Sequence, residues 1–528
     1  MLENKEISSV QLLHLYMKRA LTIGRELHGI TVENYNEALQ IAKNCDQMRE
    51  TQPENCKGEL FGIVISVKDC LIQKGHISTL GCASRLSRIP EENDGLILNL
   101  VKQSGAIPFI RTNVPQLLLN YETHNNIFGT AQNPWKRDRV SGGSSGGEST
   151  IVASRCSPIG IGTDIGGSVR IPSAFCGLVG FKPGQHRLSS KGNTARSVQY
   201  LGDSPIKTCI GPMVKYVDDA VCYMQTVLNS EYYNNIPLSQ KDLRPVIPWD
   251  QQKFDDNKKK RIGYFKTSQF SQTASCVQRG IDIAVDALKK QGHQLVEIEF
   301  LDIEKIRDIY VQIVFSDGFQ ELRETAKGED LLPMYKKIEF MYQIPRFIKK
   351  IFSGIAKLLG QKQLSKMIQI NYVKDSYDLK LLYGKAAQLN QQIIQLYEKY
   401  DIQAIVSPAF GICAPKHGSS LFITTPVFYS SIWNIASFPA GVVPVGVVQE
   451  QEQNYDNADL TSIENQKIAE NMADSKGLPL SAQVVTLPFH EETCLRLMKD
   501  IEEIVQFNNN YKIQEPFIMG QSQYHKVQ

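Results

Sequence analysis

The 528-residue chain is short of the features that mark several protein classes. It has no excess of one charge: 58 Lys and Arg stand against 55 Asp and Glu, leaving +3. A dedicated nucleic-acid binder carries a far larger basic excess, so nucleic acid is not an expected partner. It has no Cys-x-x-Cys pair and no His pair at metal spacing, and its eleven cysteines are scattered and odd in number. Reduced thiols and no metal site are therefore expected. Its first thirty residues include Glu3, Lys5, Glu6, Lys18 and Arg19 and no run of seven apolar residues. Neither a secretory signal nor an anchor is expected there, and the chain reads as intracellular, either cytoplasmic or held peripherally on the cytoplasmic face of a membrane. No internal repeat is present. Neither GxGxxG nor GxxxxGK[ST] is complete, since Gly160 and Gly162 are followed by Ile165 and no Lys follows Gly167, so no cofactor is expected.

One stretch does lack charge over a membrane-spanning length, Gly418 to Gln449. Pro426, Pro439 and Pro444, with Asn434, interrupt it and would strand backbone groups in lipid. It reads as buried core, with Phe438 to Val448 as loop plus strand.

With 42% hydrophobic and 21% charged residues, the chain can bury a large core. Leu12, Leu13, Tyr16, Met17 and Ala20 form one helical stripe behind Ser9 as a cap. Strand-like Phe61 to Val67, helical Leu96 to Gln103 and strand-like Ala106 to Ile110 then alternate, which implies a mixed or parallel sheet. Residues 249 to 261 and the mostly acidic 449 to 476 read as solvated surface loops.

Eleven glycines fall between Gly142 and Gly184, a density suited to close backbone approach. Within that region Ser144 and Ser145 sit between glycine pairs, and Ser168 follows Gly166 and Gly167. A serine nucleophile needs a base, and none of the nine histidines stands beside a strong strand-end acid motif. Lysine can serve if burial lowers its pKa from about 10.4, and Lys68 ends a seven-residue apolar run. Ser144 can relay a proton between Ser168 and Lys68, because a hydroxyl both accepts and donates. Gly166 and Gly167 allow successive N–H groups to converge on one oxygen. Each feature alone has a plainer reading: GGSSGG as a linker, Lys68 as a snorkelling surface lysine, Ser168 as a turn or cap.

Together, the segment Ser141 to Pro183 resembles the amidase signature enzymes, and among them the fatty acid amide hydrolases. Twenty-four positions separate Ser144 from Ser168 and seventy-six separate Lys68 from Ser144, as in that family. Further matching stretches are SVKDCLIQKGHISTLG at 66 to 81, GAIPFIRTNVPQ at 105 to 116, NPWK at 133 to 136, FPAGVVPV at 438 to 445 and GLPLSAQVV at 477 to 485. The resemblance implies one large α/β domain with a twisted mixed central sheet flanked by helices. It implies Ser168 as acyl-enzyme nucleophile, Ser144 as the bridging serine in a cis peptide linkage and Lys68 as base. The N–H groups of Ile165, Gly166, Gly167 and Ser168 would form the oxyanion hole, supported by Ser145, Thr163, Asp164 and Arg170. Leu118 would contact substrate, although Leu117 and Leu118 replace a Ser-Met pair of the mammalian members. Their amino-terminal membrane helix has no counterpart here, so membrane contact is expected elsewhere.

Ile344 to Leu359 supplies a candidate. Ile344, Phe347, Ile348, Ile351, Phe352, Ile355, Leu358 and Leu359 fall on one helical stripe, and Arg346, Lys349, Lys350, Lys357, Lys362 and Lys366 lie in a span free of acids from Glu339 to Asp375. Such a helix suits an anionic bilayer interface, although a stripe of this spacing often faces a core. The expected activity is hydrolysis of fatty acid amides, with a lipid amide, a membrane surface and a second copy in a homodimer as partners. A glutaminase subunit of a tRNA-dependent amidotransferase, a nucleotide-binding protein and a non-catalytic lipid carrier are the alternatives. Apolar Leu117 to Leu119 and the basic helix favour the lipid.

Overall fold

Short β-branched runs build the centre of the molecule. The computed structural model describes residues 1–513, apart from 57, 190–191, 193–203, 239–240, 242–245, 371–372 and 456–458. Eleven strands pair into one sheet: β1 Ile30–Glu33, β2 Val64–Lys68, β3 Ile107–Thr112, β4 Ile159–Asp164, β5 Val179–Lys182, β6 Cys209–Val214, β7 Arg261–Tyr264, β8 Gln294–Glu297, β9 Ala404–Ser407, β10 Ala440–Val447 and β11 Pro479–Thr486. Their spatial order is β1-β3-β2-β4-β6-β5-β10-β11-β9-β7-β8. β3, β2 and β4 run parallel, as do β9, β7 and β8, while the strands between them are antiparallel. Every residue of β2, β3, β4, β5, β6 and β11 is buried, as a sheet covered by helices on both faces requires. The chain forms one large domain, a mixed sheet flanked by helices.

The sheet's register fixes the site. Val67 of β2 lies opposite Ile161 of β4, so the parallel strands deliver Lys68 and Thr163 side by side at their carboxyl ends. That edge is where ligands gather in parallel sheets. The loop after β4 feeds the Arg170–Cys176 helix, and the Ser144–Ser145 loop feeds the Gly146–Ala153 helix. At Gly142 φ is +95°, and an added Cβ would lie 2.2 Å from Pro172 Cα, so only glycine lets the serine loop reach the neighbouring helix.

Several expectations shift. The opening helix is Ser9–Arg19, but Ser8 is its cap, in a reciprocal capping box with Gln11, and Ser9 is a buried first-turn residue. The uncharged stretch is interior, as anticipated, and holds a fully buried helix, Phe428–Ile435, ahead of β10. The acidic insert 449–476 is not a plain loop. It contains the Ile463–Met472 helix, and buried Glu464 accepts the N–H groups of Thr424 and Thr425 at 2.6 and 2.7 Å; residues 456–458 lie outside the described residues.

Helices Pro333–Gln343, Arg346–Leu358 and Lys362–Gln369 follow one another over the site's outer side. Pro345 caps the middle one, so Ile344 is extended backbone between helices and not part of the stripe. Phe347, Ile351, Phe352, Ile355, Leu358 and Leu359 are exposed, Phe347 at 67% and Leu358 at 89%, whereas Ile348 is half-buried. The inward face is Lys349, Ser353 and Ala356, so Lys349 does not join the solvated basic side. Among the described residues, no helix is long and apolar enough to cross a membrane.

Candidate active site

Lys68 is wholly buried, and its ammonium has three neighbours: Ser144 Oγ at 2.8 Å, Thr163 Oγ1 at 2.8 Å and the Thr163 carbonyl at 3.4 Å. Burial lowers its pKa from 10.5 to about 8, against the upward pull of Cys70, Asp164 and Glu148. Thr163 is thus a direct partner of the lysine. Ser144 follows a cis peptide bond from Gly143. Ser145 fastens the same loop: its N–H donates to the Ser168 carbonyl at 3.2 Å, and its hydroxyl donates to the Thr163 carbonyl at 3.3 Å. Backbone hydrogen bonding therefore holds the two serine segments together.

Asp164 organises the turn between β4 and Ser168. Its carboxylate accepts the N–H groups of Gly167 (2.8 Å) and Val169 (3.1 Å) and a two-pronged pair from Arg170, both prongs at 3.0 Å. Burial would raise its pKa, but the Arg170 charge and these hydrogen bonds hold it well below the usual carboxylate range. Arg170, buried as well, continues to Gln483 Oε1, the Ser430 carbonyl and Asn434 Oδ1. Of the four expected oxyanion donors, Gly167 therefore departs from expectation, because its N–H is already committed to Asp164.

Two peptides of this turn are held at their carbonyls. Tyr310 donates to the Ile165 carbonyl at 3.0 Å and Ser431 to the Gly166 carbonyl at 2.9 Å. In a planar trans peptide the N–H points opposite the C=O, so the Gly166 N–H turns away from Tyr310. An added Cβ at Gly166 would lie 2.3 Å from Tyr310 Oη. Behind Lys68, buried Glu148 accepts the hydroxyls of Ser66 and Thr112, and burial raises its pKa to about 8 against those two hydrogen bonds.

Ser168, half-buried, opens into a cavity of about 280 Å³. Leu118, Leu119, Val311, Val314, Phe315 and Phe428 are among its mostly apolar lining. Leu117 points elsewhere, packing with Cys82, Phe319, Leu322 and Tyr335, so it does not supply the apolar contact expected of it. Sequence reading missed Tyr310, Ser431, Asn434, Gln483 and Glu148. Tyr310, Ser431 and Asn434 lie far from the serine loops with no local motif, whereas Gln483 lies in the matching stretch GLPLSAQVV and Glu148 directly follows GGSSGG, so both offered a signal. Among the described residues, no cluster of three or more His, Cys, Asp or Glu is placed to hold a metal ion.

Residues 11–495 match the amidase family model. The chain is 28% identical over 508 residues to fatty-acid amide hydrolase 1 of Sus scrofa, covering 95% of this chain and 83% of that protein. It is 27% identical over 512 residues to an acetamidase of Emericella nidulans, covering 95% and 87%. A solved structure of fatty acid amide hydrolase superimposes with a TM-score of 0.80 at 23% identity, over 97% of this chain and 84% of that one.

Proposed function

The chain belongs to the amidase family, a hydrolase acting on amide bonds, and from that premise we propose that it cleaves fatty acid amides, N-acylethanolamines and primary fatty amides, into free fatty acid and amine. The observation that carries the substrate class is the mostly apolar cavity opening at Ser168. Its wall of aliphatic and aromatic side chains, among them Leu118, Leu119, Val311, Val314, Phe315 and Phe428, suits a long acyl chain better than acetamide or glutamine.

In the proposed mechanism Ser168 Oγ attacks the amide carbon. Its proton passes to Ser144 Oγ, whose own proton passes to Lys68 Nζ. Lys68 must be neutral to accept it, and a pKa of about 8 leaves about a tenth of the amine neutral at pH 7. The N–H groups of Ile165, Gly166 and Ser168 stabilise the oxyanion, while Gly167 shapes the turn through Asp164. The proton returns along the relay to the departing nitrogen, leaving an acyl-enzyme. Water then attacks the ester by the same route.

The exposed Phe347, Ile351, Phe352, Ile355, Leu358 and Leu359, with nearby Lys350 and Lys357, would seat this side of the molecule on an anionic bilayer. Its neighbouring helix Pro333–Gln343 lines the cavity with Met334, Ile338 and Met341, which supports entry of a lipid from that side. The test is purified protein against acyl amides of graded length. Long-chain amides should exceed acetamide in kcat/KM. A preference for acetamide, or hydrolysis of glutamine alone, would move the protein to those other amidase classes.

A further inference from the structure

Among the described residues, the Ser168 cavity is lined by two lysines, Lys337 and Lys349, and by no aspartate or glutamate. Lys337 is exposed, whereas Lys349 is 3% exposed. Lys350, one position on, is exposed to solvent, so the helix buries one cation while its neighbour stays in water. Lys349 Nζ donates a long hydrogen bond of 3.4 Å to the Ile370 carbonyl and stands 5.2 Å from the Tyr342 ring centroid. These are its polar contacts among the described residues, and neither brings a negative charge. An ammonium removed from water on such terms is costly unless a ligand supplies the missing anion.

A line of side chains connects the Ser168 turn to Lys349. Tyr310 touches Ile165 beside Ser168, and Phe315 lies five residues further on, about 7.5 Å at the helical rise. The Phe315 ring is 5.5 Å from that of Tyr342, which in turn faces Lys349. The partners of Lys349, Ile370 and Tyr342, are therefore separate from Tyr310 and Ser431, which touch the Ser168 turn. In an N-acyl amino acid the carboxylate sits only a few bonds from the scissile nitrogen.

We propose that Lys349 receives a carboxylate at the far end of the acyl chain, so that the enzyme accepts monoamides of long-chain α,ω-dicarboxylic acids. This rests on the amide-hydrolase reading of Ser168. The reaction is unchanged: water adds across the C–N bond, giving the diacid and the amine, and the distal carboxylate takes no part. Its hydrogen bond to Nζ is charge-assisted, and Lys337 adds attraction from the same cavity.

The experiment compares three amides of equal chain length: a neutral fatty amide, its ω-carboxy counterpart and an N-acylglycine. It uses wild-type protein, Lys349→Met, and Lys349→Gln as the gentler uncharged variant. Wild type should favour the ω-carboxy amide over the neutral one by about tenfold in KM. The ratio of kcat/KM between those two should fall about tenfold in both variants. An unchanged ratio, or a wild-type preference for the N-acylglycine, would overturn the assignment. Thermal-shift titration with the free diacid and the matching monoacid gives a second readout that needs no turnover. Stabilisation by the diacid at lower concentration in wild type alone supports Lys349, and identical responses in all three proteins contradict it. Absence of hydrolysis of every amide would reject the amidase reading separately.

Discussion

Tyr310 Oη donates a 3.0 Å hydrogen bond to the carbonyl of Ile165, from a helix 145 residues further along the chain. By holding that carbonyl it turns the Gly166 N–H away from Tyr310, as the proposed oxyanion role requires. Tyr310→Phe keeps the ring and loses the donor. It should lower kcat by about tenfold with KM within about twofold, since the interaction matters mainly once charge develops. A change confined to KM would make Tyr310 a substrate contact only.

The second prediction concerns pH. Burial depresses the Lys68 pKa to about 8, so the neutral base becomes more abundant as pH rises toward 9. The acylation rate should climb about tenfold per pH unit below 8 and level off above it. Stability moves the same way: between about 8 and the unfolded value the unfolded chain binds the extra proton, so folding gains as pH rises. A pH–rate profile flat from 6 to 9 would contradict a lysine base, and Lys68→Ala should remove the limb along with most of the activity.

Asp164 and Arg170 form a fully buried pair. Asp164→Asn leaves the guanidinium uncompensated and should cost about 3–5 kcal/mol in urea unfolding at pH 7. Because the carboxyl pKa is depressed in the fold, its contribution is complete above the unfolded value near 4 and is lost as pH falls. The gap between wild type and variant should therefore narrow in acid. An equal gap at pH 7 and pH 3 would speak against the ion pair as its source.

Much of this was legible in the sequence where chemistry is concentrated locally. Lys68, Ser144 and Ser168 lie in two short segments whose glycines and strand-end position announce them, while Thr163, Asp164 and Arg170 followed only from the family resemblance. Tyr310, Ser431, Asn434 and Gln483 reach the same site from distant elements; nothing marks an isolated tyrosine, and Gln483 was passed over although it stands in the matching stretch 477 to 485. Helical periodicity found the exposed stripe but could not exclude Ile344, which Pro345 separates from the helix, nor show that Lys349 joins Ser353 and Ala356 on the inward face. Charge misled at 449–476, where Ile468 and Met472 pack inward and draw a helix onto the core.

The exposed stripe gives a further prediction. Phe347→Asp with Ile351→Asp alters only solvent-facing side chains, so thermal stability should stay within about 0.5 kcal/mol. Sedimentation with anionic liposomes should drop severalfold, and more so at low salt. Equal sedimentation of wild type and the double variant would mean that this face does not meet a bilayer.

The most direct test of the catalytic account is fluorophosphonate labelling read by peptide mass spectrometry on wild type and Ser168→Ala. A nucleophilic Ser168 predicts one adduct on the peptide containing residue 168, and loss of both adduct and amide hydrolysis in the variant. Wild-type turnover in Ser168→Ala, or an adduct on another serine accompanied by full inactivation, would contradict it.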